Sequence, residues 1–354
     1  MKRRLSPLLL LVACLLAGRV SSQERRDTAT FCVMSYNVEN LFDCRHDTLK
    51  DDYEFLPDAV RHWHYARYRR KLDNVARVIT AVGGWTPPAL VGLCEVENDS
   101  VLVDLTRHTA LRESGYRYLI APSADVRGID VALLYQPFLF RPLYQQNLRV
   151  EKPRPNSRPT RDILYVGGLL PNGDTLDVFV AHFPSRSGGA RQTAPYRHNA
   201  ARRIKSATDS LMRVRRRPQI ILMGDFNDPP DNSTVRDVLQ ALPPPDASNL
   251  PEAGSLYHLL ARRAAAGRRT GSYKYRGAWQ WLDHLIVSGT LLQPDALLRT
   301  SEAEAGVFAP DFLLTDDPRY GGRQPFRTYY GMKYQGGYSD HLPVYADFQL
   351  IVSY

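Results

Sequence analysis

The sequence predicts a mixed α/β domain in which two β-sheets pack against each other and helices cover the outside. Apolar runs of strand length recur along the 354 residues, and amphipathic helical patterns lie between some of them. The runs at 116–135 and 164–181 come in pairs, which argues against a purely parallel sheet. Because no low-complexity linker and no internal repeat divides the chain, we expect one mature domain.

The individual elements follow from the same periodicities. The predicted strands are residues 31–36, 90–96, 116–121, 131–135, 164–170, 176–181, 219–223, 282–288 and 344–352. Residues 67–81 are a predicted helix, because Leu72, Val75 and Ile79 recur on one face at helical spacing. Residues 100–111, which begin with a serine suited to an N-cap, 194–214 and the short segment 234–241 are the other predicted helices.

The N-terminus has the pattern of a secretory signal peptide. Residues 1–4 are Met-Lys-Arg-Arg, an apolar segment follows at 8–16, and small residues lead to Ser22. The apolar segment is shorter than the roughly 20 residues that cross a bilayer. We therefore expect cleavage near Ser22, a mature domain at 23–354, export to the periplasm or the outside, and no stable membrane span. Leu11-Val12-Ala13-Cys14 also fits a lipoprotein box, so anchoring through Cys14 is the alternative.

The net charge indicates which classes of partner the protein could bind, and the cysteine count bears on disulfides and zinc. The formal net charge of +9 favours polyanionic partners such as nucleic acid, phosphorylated small molecules or acidic lipid headgroups. After signal cleavage Cys32, Cys44 and Cys94 would remain, which is too few to indicate a disulfide framework or a zinc site.

Polar side chains follow the apolar runs at several places, where burial without partners would be costly. They are Asn37, Glu95, His182, Asp225 with Asn227, Asp283, and Asp340 with His341. Carboxylate and amide oxygens without clustered cysteines suit Mg²⁺, Mn²⁺ or Ca²⁺. Phosphodiester cleavage needs a polarised phosphoryl group, an oriented water and a base, and this set supplies each of them. Because a catalytic histidine needs a carboxylate to orient it, we expect Asp130 and Asp283 to pair with His182 and His341.

Four motifs in this order resemble the endonuclease/exonuclease/phosphatase superfamily, whose members include deoxyribonuclease I. They are Ser-Tyr-Asn at 35–37, the strand that carries Glu95, Gly-Asp-Phe-Asn at 224–227 and Ser-Asp-His-Leu-Pro at 339–343. The resemblance covers residues 31–349 and implies a four-layered α-β-β-α sandwich that hydrolyses phosphoesters with a divalent metal.

The resemblance also implies roles for individual residues. Glu95 corresponds to the principal metal ligand, with Asn37 and Asp340 close to the metal or the phosphate. The remaining positions correspond to catalytic residues. Asp225 and Asn227 position the nucleophile, and His341, oriented by Asp283, acts as base or phosphate stabiliser. Asp130 supports His182. Arg186, in the Ser-Arg-Ser-Gly-Gly segment at 185–189, is a further candidate phosphate contact.

His182 selects among the branches of this superfamily. Abasic-site endonucleases have asparagine at the corresponding position, so the histidine argues against abasic repair. We expect a monomeric Mg²⁺-dependent nuclease with a nucleic acid as substrate. The alternatives are a phosphomonoesterase, a sphingomyelinase-like phospholipase acting on a small or lipid phosphoester, and a non-catalytic binding protein on the same fold.

Overall fold

The computed structural model describes residues 26–246, 248–267 and 270–353. The predicted signal peptide, including Cys14, lies outside these residues. The strands of the described part are β1 Arg26–Leu41, β2 Leu90–Val96, β3 Arg117–Ala121, β4 Asp130–Tyr135, β5 Arg141–Leu148, β6 Ile163–Leu169, β7 Thr175–His182, β8 Ile220–Asp225, β9 Ala241–Leu242, β10 Leu256–His258, β11 Tyr273–Tyr275, β12 Ala278–Gln280, β13 Asp283–Ser288, β14 Leu298–Arg299, β15 Ala305–Val307, β16 Leu314–Asp316, β17 Arg323–Pro325, β18 Tyr329–Tyr330, β19 Lys333–Tyr334 and β20 Val344–Ser353. The α-helices are α1 Tyr65–Gly83, α2 Asp99–Arg107, α3 Ala190–Val214 and α4 Ala261–Ala265.

Two mixed sheets of seven strands form the centre of the molecule. The first has the order β14-β20-β1-β2-β4-β3, with β15 also paired to β20, and the second has the order β5-β6-β7-β8-β13-β10-β9. The pairs β1·β2 and β7·β8 are parallel, whereas their outer neighbours β20, β4, β6 and β13 run antiparallel. The predicted mixed sheets are therefore confirmed.

Side-chain alternation explains the layers. On β1, Phe31 and Val33 face the second sheet, where they pack in one core with Val178 and Ile221. Met34, on the other face of β1, packs in a second core with residues of α1 and α2. A third core lies between the second sheet and α3. The order helices, sheet, sheet, helix is the four-layered sandwich that the sequence predicts.

The helix predictions were right to different degrees. Helix α1 contains the whole predicted segment 67–81 and buries the apolar face. Helix α2 begins one residue before the predicted Ser100, because the Asn98 side chain accepts a hydrogen bond from Val101 N at 3.1 Å and acts as the N-cap. The predicted helix at 234–241 is confirmed only in its first part, as a short π-helix at Thr234–Val238, because strand β9 begins at Ala241.

Strand β5 was not predicted, although it forms an edge of the second sheet. Most of its residues are exposed, so the period-two apolar signal that marks half-buried strands is weak there. The short strands β11, β12 and β14–β19 were missed for a related reason, since two or three residues carry no periodicity. Among the described residues no helix is long and apolar enough to span a membrane, and Cys32, Cys44 and Cys94 are free thiols.

Candidate active site

The site lies at one end of the interface between the two sheets, because parallel neighbouring strands end at the same edge. Strands β7 and β8 are parallel, with His182 opposite Asp225, and antiparallel β13 places Asp283 opposite Asp225 from the other side. Residues in such a row point to the same face of the sheet. The register therefore brings His182, Asp225 and Asp283 together on the face that meets the first sheet.

A β-bulge turns Glu95 into the same space. Leu93 packs on the helix side of the first sheet and Cys94 faces the second sheet, so regular alternation would return Glu95 to the helix side. The pairing of β2 with β4 shifts register between Cys94 and Val96, and Glu95 has a φ of 67°. As a result, Glu95 Oε1 lies 3.8 Å from His182 Nε2. Such a left-handed conformation is unfavourable for glutamate and marks a site where geometry is imposed.

A close approach between the backbones of β7 and β8 fixes the end of β8 and the loop that follows it. Gly224 has a φ of 140°, and a Cβ at this position would lie 1.8 Å from the carbonyl oxygen of Ala181 on β7. Only glycine allows the two parallel strands to meet here. Beyond it, Asn227 has a φ of 54°, and its backbone N–H donates to Asp225 Oδ1 at 2.9 Å.

Asp225 is the centre of the site. Its Oδ2 atom accepts hydrogen bonds from Asn37 Nδ2 at 3.1 Å and Asn227 Nδ2 at 3.2 Å. The Nε2 atoms of His182 and His341 lie 3.6 and 3.8 Å from the same oxygen. Burial raises the pKa of Asp225 to about 7, although the positive charge of His341 lowers this pKa.

The two histidines have opposite electrostatics. His341 Nδ1 donates to Asp283 Oδ2 at 2.7 Å, which confirms the geometry of this predicted dyad. Burial lowers the pKa of His341, but the carboxylates of Asp283 and Asp225 outweigh burial and hold it well above its ordinary value. Burial, with the charge of Arg161 nearby, holds the pKa of His182 well below its ordinary value. His341 is therefore cationic and His182 neutral at pH 7.

The predicted pairing of Asp130 with His182 is wrong. Asp130 Oδ1 accepts a hydrogen bond from Ser123 Oγ at 2.6 Å, and burial raises the pKa of Asp130 to about 6. His182 Nδ1 is buried without a hydrogen-bond partner in the described part of the chain. The Asp130 carboxylate is therefore bonded within its own loop and not to His182.

The predicted metal ligands occupy different places. Glu95 and Asp340 line the cleft, which has a volume of about 570 Å³. The charge of Arg327, 2.9 Å away, helps to hold the pKa of Asp340 below its ordinary value although burial raises it. Asn37 is buried beneath Asp225, and its Oδ1 accepts from Glu39 N at 3.0 Å. Asn37 thus orients Asp225, and its role as a metal ligand stays a prediction.

The donor set fits a hard divalent cation. Glu95 Oε2 accepts from Asn40 N at 2.9 Å, and Oε1 remains directed at the cleft. No cysteine is among the residues that line the cleft, so Mg²⁺ and similar ions suit the site better than zinc. Asp225, Asp283 and His341 also offer three ligand atoms within 4.8 Å of one another.

Arg186 lies at the wall of the cleft, where it was expected. Its guanidinium donates to Gln280 Oε1, and Ser185 and Ser187 line the cleft beside it. Helix α3 begins at Ala190, which also lines the cleft, so its positive N-terminal end lies next to the site.

Several residues of the site were not found from sequence. Arg327 donates to Asp340 Oδ2 and pairs with Glu39 Oε1 at 3.3 Å, and the buried Lys71 of α1 donates to Thr328 Oγ1 at 2.6 Å. A lysine on the apolar face of an amphipathic helix was the available signal for Lys71. Arg327 carried no local signal, because its partners are far away in sequence.

The arrangement defines a class of protein, a metal-dependent phosphoesterase, and the comparisons with known proteins agree. The endonuclease/exonuclease/phosphatase family matches residues 32–349, so the chain belongs to this family of metal-dependent phosphoesterases. No match was found among curated proteins.

Solved structures show the same fold at low sequence identity. A mannosyl-6-phosphatase of Bacteroides thetaiotaomicron is 15% identical, with 90% of this chain and 99% of that chain covered at a TM-score of 0.53. D. rerio TDP2 complexed with a single-strand DNA product is 12% identical. The match covers 90% of this chain and 99% of that chain, with a TM-score of 0.53. The human Nocturnin catalytic domain with a bound sulfate anion is 16% identical. The match covers 92% of this chain and 97% of that chain, with a TM-score of 0.51.

Proposed function

We propose that the protein is an exported, Mg²⁺-dependent phosphodiesterase that cleaves nucleic acid by attack of an activated water. The observation that carries the proposal is the convergence of two histidine Nε2 atoms on Asp225 Oδ2, at 3.6 and 3.8 Å, in a polar cleft. A scissile phosphate in this cleft would lie between a cationic and a neutral imidazole, which is the pair needed to give and to take a proton.

Each side chain has a defined task in this mechanism. Asp225, held by Asn37 and Asn227, orients the attacking water. His341, fixed by Asp283, directs Nε2 to the phosphoryl oxygens and stabilises their charge. His182 is neutral, so its Nε2 accepts the proton that the attacking water gives up, and the cationic His341 gives a proton to the departing oxygen.

Glu95 and Asp340 would hold the metal, with Asn37 as the third predicted ligand. When bound, it polarises the phosphoryl group and neutralises charge on the departing oxygen. Asp340 is kept ionised for this purpose by Arg327, which donates to its Oδ2 at 2.9 Å.

The choice of nucleic acid rests on charge and on one related structure. The net charge of +9 favours an extended polyanion, and the DNA-bound TDP2 structure has the same fold. The mannosyl-6-phosphatase structure keeps the phosphomonoesterase as the second candidate, since its fold is equally similar.

A substrate panel tests the proposal. The mature protein with Mg²⁺ is expected to cleave plasmid DNA or RNA and bis-p-nitrophenyl phosphate, and chelator is expected to abolish both activities. Turnover of sugar phosphates or lipids without cleavage of nucleic acid would contradict the nuclease assignment. Absence of all turnover would favour the non-catalytic alternative.

Histidine variants test the mechanism. His182→Ala and His341→Ala should each reduce kcat by about 10²–10⁴-fold, which is the range for acid–base groups. His108→Ala is the matched control, because that imidazole is 61% exposed at the end of α2 and does not line the cleft. Full activity in both cleft variants would contradict the assigned roles.

A further inference from the structure

A second cavity of about 600 Å³ opens next to the catalytic cleft. Tyr273 and Tyr275 line both cavities, so strand β11 is a shared wall. The second cavity is bordered by the two-stranded hairpins β11–β12, β16–β17 and β18–β19, and we name it the hairpin groove. It therefore offers a path along which a long substrate could leave the catalytic cleft.

Each hairpin contributes one half-exposed tyrosine to this groove. Tyr275, Tyr320 and Tyr330 line it and are 50%, 44% and 51% exposed. Half-exposed aromatic rings gathered in one groove leave apolar faces in contact with water, which is typical of a binding surface rather than of a core. Flat rings of this kind are platforms on which other flat rings stack.

The groove is built rigidly, although hairpins of two short strands are only marginally stable alone. Lys274 of β11 forms an ion pair with Asp317 at 2.8 Å, and both side chains are at least nine-tenths buried. Lys274 Nζ also donates to Gly321 O at 2.8 Å, which ties the first hairpin to the turn of the second. Asp317 Oδ1 accepts from the backbone N–H of Tyr320 at 3.0 Å and so fixes that turn.

Two arginines place positive charge at the same groove. Arg276 and Arg319 line it, and each guanidinium lies 5.2 Å from the ring centroid of the adjacent tyrosine. In the described part of the chain neither forms an ion pair with a carboxylate. Arg276 stands at the hairpin tip with a φ of 48°, where asparagine or glycine is the usual choice. A cationic residue therefore occupies a position whose backbone conformation is energetically unfavourable.

We propose that the hairpin groove binds a single-stranded nucleic acid that extends from the catalytic cleft. Bases stack on Tyr275, Tyr320 and Tyr330, and the phosphates between them face Arg276 and Arg319. This inference deepens the proposed nuclease function and rests on it for the identity of the substrate. A neutral glycan would also stack on the tyrosines, but it would leave the two arginines without a counterion.

Binding in the presence of chelator tests the groove separately from catalysis. Fluorescence anisotropy with a short labelled oligothymidylate should show that Tyr320→Ala and Tyr330→Ala each weaken binding about five- to 150-fold, the range for one lost base stack. Tyr320→Phe and Tyr330→Phe should restore wild-type affinity, because stacking needs the ring and not the hydroxyl. A control is Tyr65→Ala, whose tyrosine is 67% exposed on α1 outside the groove.

The arginines have their own readout. The double variant Arg276→Ala/Arg319→Ala should reduce the slope of log affinity against log salt by about 1.4, since each phosphate contact with a single strand contributes about 0.7. A duplex of the same length should bind more weakly than the single strand, because its bases are already stacked. Circular dichroism melts of all variants establish that they remain folded.

The outcomes separate the groove from the proposed function. If the wild type cleaves oligonucleotides but the alanine variants bind them as tightly as it does, the groove assignment is wrong and the nuclease assignment stands. If the wild type binds the oligonucleotide through these residues but never cleaves it, the proposed function fails and the groove stands. Preferential binding of an uncharged mannose oligosaccharide, independent of salt, would overturn the nucleic-acid assignment.

Discussion

Replacement of Asp283 by asparagine tests the centre of the proposed mechanism. Asp283 is fully buried at the start of β13, and its Oδ2 accepts from His341 Nδ1 at 2.7 Å, a length typical of a hydrogen bond between charged groups. Asparagine keeps the shape and removes the charge. His341 would then lose the negative charge that strengthens its hydrogen bond and keeps its pKa high.

The size of the effect follows from this contact. Hydrogen bonds to charged groups contribute about 1.5–3 kcal/mol. If the contact matters mainly in the transition state, kcat should fall about ten- to 150-fold, because about 1.4 kcal/mol corresponds to a tenfold change in rate. KM for bis-p-nitrophenyl phosphate should change little, since Asp283 does not line the cleft.

Asp130→Asn is the matched control. It removes a buried carboxylate of the same size at the start of β4 in the other sheet, but one bonded to Ser123 and not to a histidine. Its kcat should stay within a few-fold of wild type. The reasoning would be refuted if Asp283→Asn retained full kcat, or if the two variants lost activity equally while both remained folded.

Three further predictions concern metal binding, stability and processing. Glu95→Gln should raise the Mg²⁺ concentration for half-maximal activity at least about tenfold, since ligand-shell changes have effects of this size, and calorimetry should show the same loss of affinity. Arg197→Met should lower the free energy of unfolding in urea by about 3–5 kcal/mol, because it leaves Asp228, 2.6 Å from Arg197 Nε, buried and unpaired. Arg202→Met on the exposed face of the same helix is the control and should change stability by no more than about 0.5 kcal/mol. N-terminal sequencing of the secreted protein should begin near Gln23, and retention of a lipidated Cys14 would contradict this prediction.

Local patterns were sufficient to predict the layers and most of the site. Strands with clear apolar runs, such as β2 and β7, bury both faces, so their composition identifies them. Polar residues placed directly after such runs, such as His182 and Asp225, are then expected at a sheet edge. The Asp283–His341 contact was predicted because a catalytic histidine needs a carboxylate to orient it and because the family resemblance pairs these two positions.

The rest depended on contacts between distant segments. Glu95 was expected at the site, but it reaches the cleft through a bulge, which a strict alternation of side chains cannot predict. The hairpin groove depends on the pairing of Lys274 with Asp317, and its strands are too short to carry a pattern. Asp130 was assigned to His182 because it was one of two acids available to orient two histidines, but Ser123 supplies a partner for it in its own loop.

A buried pair of histidines next to the site predicts that the fold is sensitive to acid. Leu260 N donates to His258 Nδ1 at 3.0 Å, so His258 Nε2 carries the proton and donates to His284 Nδ1 at 2.6 Å. His284 Nε2 in turn donates to Asp228 O at 2.9 Å. Every nitrogen of this chain is matched in the neutral state, and an added proton would place two donors against each other.

The low pKa values of the two histidines determine the sign and size of the change in stability with pH. Burial lowers the pKa of His284 to about 4 and holds that of His258 well below its ordinary value. The unfolded chain therefore binds protons that the folded chain rejects, and stability is lost as pH falls from about 6.5 towards 4. His284 alone accounts for roughly 3 kcal/mol across this range, at about 1.36 kcal/mol per pKa unit.

Urea unfolding at several pH values, compared between wild type and His258→Gln/His284→Gln, isolates this contribution. Buried carboxyls with raised pKa values, such as Asp225, act in the opposite direction but cancel in the difference between the two proteins. Stability should fall less steeply with acid in the double variant. In nuclear magnetic resonance titrations of the wild type, neither imidazole should become protonated above about pH 5, and a midpoint near 6.5 for either would show that the chain does not hold the pair neutral.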